Sequence, residues 1–168
     1  MLILASPAKF LFILGLRQYP PTEVILGIAA GDEPQRTIAL DYFLDHHKQR
    51  YSGYTATAHA NIAFVPAIQE GKKKLVKPLE VFSNRDWQLL GFPVLDPTLG
   101  HDAVNILQIK EHPPVEQLVH CLKKCPPSNE VQAREWFKIL SRRISGLYSA
   151  WFNGYVLIFL RLPSFQVE

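Results

Sequence analysis

Residues 13–21, Ile-Leu-Gly-Leu-Arg-Gln-Tyr-Pro-Pro, return at 106–114 as Ile-Leu-Gln-Ile-Lys-Glu-His-Pro-Pro. The runs stand 93 residues apart, and every position is identical or chemically similar except Gly15 against Gln108. The correspondence continues with Glu23 against Glu116 and Ile25 against Leu118. After one inserted residue, Ala39-Leu40-Asp41-Tyr42-Phe43 aligns with Ala133-Arg134-Glu135-Trp136-Phe137. A duplication constrains the fold strongly, because the local structure of one copy is expected in the other and repeats bury faces against their neighbours.

Each copy reads as three helical pieces. The first is apolar, Ala8–Leu16 in one copy and Ala103–Ile109 in the other. The Pro-Pro pair then suits the start of the second helix, since proline's fixed φ and missing N–H are tolerated in a first turn. Glu23 or Glu116 just inside complements the positive end of the helix dipole. That second helix is expected to stop at Gly31 in the first copy and near Pro126-Pro127 in the second. The third helix starts from Asp32, with Gln35 reaching back, and in the second copy from Ser128 or Asn129. Its apolar positions, Ala133, Trp136, Phe137, Leu140 and Ile144, define one face by their three- and four-residue steps, as do Ile38, Ala39, Tyr42 and Phe43.

Between the copies the texture changes. Residues 61–68 and 75–82 read as two strands joined by a loop from Gln69 to Lys74, with Pro66 and Pro78 pushing both toward sheet edges. Ser83 or Asn84 then caps a short helix through Trp87 and Leu90, ended by Gly91, and Phe92–Pro97 crosses in extended form. Three helices followed by a hairpin is the element order of a winged helix. The expected fold is therefore α+β and helix-rich, built of tandem winged-helix-like units. Residues 1–100 form one unit with its hairpin at about 61–82, 101–145 a second copy without a wing, and 146–168 an atypical apolar tail. On this reading Trp136 and Phe137 lack their usual cover, which predicts marginal stability for the second copy.

The tail is aromatic and apolar from Gly146, and its longest uninterrupted apolar stretch, Tyr155–Leu160, is far short of the roughly 20 residues needed to span a bilayer. A buried strand, a membrane-surface patch and foreign sequence such as a misjoined exon all fit, and we favour the last. Were the tail genuine, Trp151, Phe152, Tyr155 and Phe159 would form an exposed apolar patch. At the other end, Met1–Leu16 is interrupted by Pro7 and Lys9 and has no basic n-region, so it reads as a packed helix rather than a secretion signal.

The 168 residues, 48% apolar and 20% charged, suffice for a genuine core, and the 13 prolines break it into short elements. Two cysteines and no Asn-x-Ser/Thr acceptor point to an intracellular, reducing setting.

The runs Leu-Gly-Leu-Arg-Gln-Tyr-Pro-Pro (14–21), Phe-Val-Pro-Ala (64–67), Glu-Val-Phe-Ser-Asn (80–84), Leu-Gly-Phe-Pro-Val-Leu-Asp-Pro (90–97) and Lys-Glu-His-Pro-Pro (110–114) resemble a family of large uncharacterised fungal proteins. The resemblance covers residues 4–145. It implies a parent protein with an N-terminal ATPase domain of the histidine-kinase and GyrB type, and a place for this chain downstream of that domain. It supplies no reaction and no active site.

The chain itself has no Walker loop, Gly-x-Gly-x-x-Gly, Gly-x-Ser-x-Gly elbow or His-Glu-x-x-His helix, so no nucleotide or other cofactor is expected. Cys121 and Cys125, with His120 and His112 nearby, lack the second pair of a zinc site and read as small residues at a helix end. His46 and His47 are consecutive, point to different sides of a helix and make poor joint ligands with Asp45 and His59. No catalytic or metal residue is assigned.

The net charge of +3 is far from that of a nucleic-acid clamp. The basic clusters are Lys72, Lys73 and Lys74 with Lys77, then Lys123-Lys124, then Arg142-Arg143. Were the hairpin a wing, its lysines could touch phosphates without reading sequence. The third helix offers Gln35, Arg36, Asp41, Asp45 and Lys48, whose acids would repel them. A non-enzymatic scaffold or protein-interaction region of a larger protein is the favoured function, with weak nucleic-acid binding through Lys72, Lys73, Lys74 and Lys77 as the alternative.

Overall fold

The computed structural model describes residues 19–144, so the expected leading helix Ala8–Leu16 and the tail from Gly146 lie outside the described residues. The order is α1 (Thr22–Ala29), α2 (Gln35–Arg50), β1 (Val65–Gln69), β2 (Lys72–Val76), a 3-10 helix (Arg85–Leu90), β3 (Val94–Leu95), α3 (His101–Ile106), α4 (Val115–Lys124) and α5 (Glu130–Ile144). The protein is α+β, and the strands among the described residues form one antiparallel sheet of order β2-β1-β3.

The Pro-Pro pairs start equivalent helices in the same way. Pro21 caps α1 at φ −56°, ψ 155°, and Pro114 caps α4 at φ −58°, ψ 149°. The Pro21 carbonyl accepts from the Val24 and Ile25 N–H groups, and the Pro114 carbonyl from those of Gln117 and Leu118. The helices that follow start differently. At α5, Asn129 Oδ1 accepts from the Gln132 N–H at 2.9 Å while Gln132 Oε1 reaches back one residue further and accepts from the Ser128 N–H at 2.7 Å, a variant of the capping box. The expected Asp32 cap is not made. Pro34 delays α2 to Gln35 and, as its N-cap, offers no side-chain acceptor. Instead the Glu33 carboxylate accepts from the Thr37 hydroxyl at 2.8 Å.

The hairpin is shorter than expected, 65–76, and its lysines are not in the loop. The turn is Glu70-Gly71, with φ of 52° and 73°, closed by the pair Gln69–Lys72. A two-residue turn with both φ values positive matches the twist of the strands it joins, whereas a long loop would have left strand backbone unpaired. Lys72, Lys73 and Lys74 therefore belong to β2. Pro66 also corrects expectation, since it lies in the central strand. Its carbonyl accepts from the Asp96 N–H at 3.0 Å, and its missing N–H costs no bond because β3 pairs only at Ala67 and Ile68. Asn84 and Gly91 bound the 3-10 helix as expected: Asn84 Oδ1 accepts from the Asp86 N–H, and Gly91 closes the helix at φ 80°.

The sheet divides two cores. Side chains alternate across a strand, and Val65, Ala67, Val76 and Leu95 pack with Ile25, Leu26, Leu40, Phe43, Tyr51, Tyr54 and Phe64 around α1 and α2. Ile68 and Val94, on the opposite face, join Phe82, Trp87, Leu90, Leu118, Leu122, Trp136 and Leu140 around α4 and α5. The leading helix of the second copy behaves unexpectedly. Ala103, Leu107 and Ile109 fill the first core rather than their own copy's core.

Three of the expected core assignments change. Ile38 is 66% exposed and Phe137 57%, so neither lies on a buried face. Trp136 does not lack cover: it is 5% exposed beneath Trp87 and Leu90 from the segment between the copies. Ile144 belongs to α5, but its side chain lies outside the described residues.

Candidate functional site

α2 carries its polar residues along a groove formed by two adjoining clefts. The first, of about 370 Å³, lies between Glu33, Arg36 and Thr37 of the α2 start and Lys73, Lys74 and Leu75 of β2. The second, of about 540 Å³, lies between Asp41, Asp45 and Lys48 of α2 and Asp102 and Ala103 of α3. Asp41, Thr98 and Leu99 line both. Asp41 and Asp45 share a helix face because they are four residues apart. The groove is thus anionic at its α3 end, where Asp41, Asp45 and Asp102 outnumber Lys48, while at its β2 end the bases and acids balance, Lys73 against Asp96 and Arg36 against Glu33, with Lys74 beside the shared Asp41.

Asp96 anchors the β2 end. It is 3% exposed, and its Oδ2 lies 2.8 Å from Lys73 Nζ. Its Oδ1 accepts from the Thr98 N–H at 2.9 Å and from the Thr98 hydroxyl at 2.8 Å. Burial alone would raise the carboxyl's pKa, but the Lys73 ammonium and the two Thr98 donors outweigh it and hold the group below the ordinary carboxylate range. Arg36 is fixed beside it, donating Nε–H and Nη2–H to the Gly31 carbonyl at 2.8 and 2.6 Å.

The four lysines named from sequence are separated by these contacts. Lys73 is paired with Asp96, and Lys77 lies 3.7 Å from Glu80. Lys72 and Lys74 are exposed and have no ion-pair partner among the described residues. The side chains of Arg142 and Arg143 lie outside the described residues.

The histidines are dispersed into packing roles. His46 stacks on Tyr42 at 4.3 Å, and His47 meets Phe43 and Tyr54 edge-on. His59 is buried, stacks on Tyr54 and donates Nδ1–H to the Thr55 carbonyl at 3.0 Å. Burial also pushes the Tyr54 phenol well above its usual value, and its O–H donates to the Leu107 carbonyl at 3.5 Å. Cys121 donates its S–H to the Leu90 carbonyl at 3.3 Å, while Cys125 is exposed; burial and then the neighbouring Cys125 raise the Cys121 thiol. Trp87 Nε1–H donates to His112 Nδ1 at 3.2 Å. Among the described residues, no three His, Cys, Asp or Glu side chains gather to hold a metal ion, and no helix is long and apolar enough to cross a membrane.

Asp96 and the groove went unread in the sequence. The one available signal was Asp96-Pro97-Thr98, a spacing that favours a side-chain-stabilised turn without revealing what the carboxylate faces.

No curated protein and no solved structure matches the chain. Residues 5–153 match the family model described as "Protein of unknown function (DUF3684)", and the chain belongs to that family.

Proposed function

We propose that this chain is a non-enzymatic scaffold or protein-interaction region of a larger protein, and that a polypeptide partner lies in the groove along α2. The supporting observation is the groove's uneven charge. One end is mixed, with Arg36, Lys73 and Lys74 beside Glu33 and Asp96, and the other is anionic, with Asp41, Asp45 and Asp102 against Lys48. A phosphate backbone is repelled by the anionic end, whereas a polypeptide can carry charges that suit both. The parent in this reading is the ATPase-bearing fungal protein that the resemblance implies, with tandem winged-helix-like units downstream of the ATPase. The free thiols accord with an intracellular setting.

One observation favours the alternative, weak nucleic-acid binding: Lys72 and Lys74 are exposed side by side on the hairpin. Two measurements decide between the readings. Peptides selected from a random display library should carry charges of both signs and lose binding on Asp45→Lys or Lys74→Glu. Anisotropy of a labelled duplex at about 50 and 200 mM salt tests the other reading. Salt-steep duplex binding lost on Lys72→Glu/Lys74→Glu, with no peptide enriched, would replace the first with the second.

A further inference from the structure

The two edges of the sheet are treated differently. Beyond β3, Phe82 bridges to Val94 and in turn to Lys110, and the Ser83 N–H donates to the Lys110 carbonyl at 3.0 Å. That edge is covered. Among the described residues, β2 ends the sheet on the other side and pairs only with β1. Gln69 and Lys72 close a two-residue turn, so they form a hydrogen-bonded pair, and the ladder continues at Ala67–Lys74 and Val65–Val76. The intervening residues, Lys73 and Leu75, turn their N–H and C=O groups to the open edge.

We propose that this edge receives an extended acidic segment of a partner protein as a fourth strand; the inference rests on the interaction reading above. Backbone groups of Lys73 and Leu75 supply the pairing, as in strand addition generally. Lys72 and Lys74, exposed and without ion-pair partners among the described residues, select for acidic side chains. Lysines on an edge also discourage pairing between copies of the same chain, because two such edges repel. The same residues therefore reject self-association and admit a strand of opposite charge. The cleft between β2 and the start of α2 leaves room beside Leu75 for one apolar side chain of the incoming strand.

The test is amide hydrogen exchange followed by NMR on the full chain, with an alternating Glu/Val heptapeptide as probe. A control peptide of equal charge carries two adjacent central prolines, so neither of its edges presents an unbroken row of N–H groups. The Glu/Val peptide should slow exchange at Lys73 and Leu75 by about tenfold or more at saturation. Lys72, Lys74 and Val76, already bonded to β1, should change little, and the control should have no effect. Leu75→Pro removes one outward donor and no ladder bond, so it should abolish the protection while the hairpin amides stay slow. Equal binding of both peptides would reduce the lysines to point charges and overturn the proposal. Binding that perturbs Asp41, Asp45 and Asp102 but leaves Lys73 and Leu75 fast would overturn it while the groove reading stands. No binding of the heptapeptide overturns it too, and the display selection then decides the groove reading separately. Salt-steep duplex binding with neither amide protected would assign the edge to nucleic acid.

Discussion

The α1–α2 and α4–α5 pairs are the ones that the sequence correspondence aligns, yet at aligned positions they bury different faces. Phe43 and Phe137 occupy equivalent positions, and Phe43 is fully buried while Phe137 is 57% exposed. α2 buries Ala39, Leu40 and Phe43, whereas α5 buries Ala133, Trp136, Ile139 and Leu140. The buried stripe has moved by one position, a rotation of roughly 100° about the helix axis and the same step as the one residue inserted between the aligned runs. The neighbours differ as well. α2 meets the rings of Tyr51 and Tyr54, with Phe43 and Tyr51 centroids 5.4 Å apart and Phe43 and Tyr54 5.2 Å apart. α5 meets the 3-10 helix, whose Trp87 and Leu90 accept the broader indole of Trp136. A repeat can thus fix where helices begin without fixing which side is buried.

The largest expected effect tests this directly. Phe43→Ala removes a fully buried ring and is expected to cost about 3–5 kcal/mol in urea unfolding. Phe137→Ala, at the matched position, is expected to stay below about 1 kcal/mol. Comparable losses at both sites would mean that the two copies bury the same face after all.

Asp96 follows, because it stands beside the sheet that separates the cores. Asp96→Asn should cost roughly 1–3 kcal/mol, since the Thr98 donors keep an acceptor but the Lys73 ammonium loses its carboxylate. The pH dependence has a definite sign. A carboxyl held below its unfolded value stabilises the fold at pH above that value, about 3.9, and the contribution is lost as pH falls toward the depressed folded value. The difference between wild type and Asp96→Asn should be flat from about pH 5 to 8 and shrink below about pH 4. A gap that widens in acid would show that Asp96 is not held as a carboxylate by Lys73.

What could be read in the sequence was mainly punctuation. The Pro-Pro helix starts, the Ser128–Asn129 cap and the Asn84…Gly91 bounds of the 3-10 helix were legible because each depends on one or two residues with restricted backbone or capping chemistry. The hairpin was blurred because three consecutive lysines look like a loop, although charge is also how an exposed edge strand is protected. The α2 face was misread at Ile38 because Ile38, Ala39, Tyr42 and Phe43 fit more than one stripe, and the rings of Tyr51 and Tyr54, just past the helix end, select between them. The groove was illegible for a related reason. Its charges come from α2, β2, the Asp96–Thr98 turn and α3, and no local pattern announces that these converge.

A smaller effect is expected at the one mismatched position of the 13–21 and 106–114 runs. Gln108 stands where the first copy has Gly15, and its φ is 55°, in the left-handed region. Its side chain holds the chain at Tyr54–Ala56: Oε1 accepts from the Ala56 N–H at 3.0 Å, and Nε2–H donates to the Tyr54 carbonyl at 3.4 Å. Gln108→Ala loses both bonds and keeps the backbone strain, for about 1–2 kcal/mol. Gln108→Gly loses the bonds but relieves the strain, so it should be closer to wild type by about 1 kcal/mol. If thermal unfolding ranks alanine above glycine, strain at this position is not what distinguishes the copies.

The smallest effect concerns the feature the copies share most closely. Pro21 and Pro114 cap their helices with φ values of −56° and −58°, and in each case the carbonyl accepts two N–H groups from the first turn. Alanine can adopt these angles, so each substitution leaves the folded contacts in place and acts mainly by freeing the unfolded chain. Pro21→Ala and Pro114→Ala should therefore each cost about 0.4–1 kcal/mol, a contribution that comes from the denatured state rather than from any lost contact. The buried faces that follow differ while the capped first turns do not. The costs should therefore agree within about 0.3–0.5 kcal/mol, and the double substitution should equal their sum. Unequal costs, or coupling between sites on opposite sides of the sheet, would show that the first turns answer to the surrounding core as much as the buried faces do.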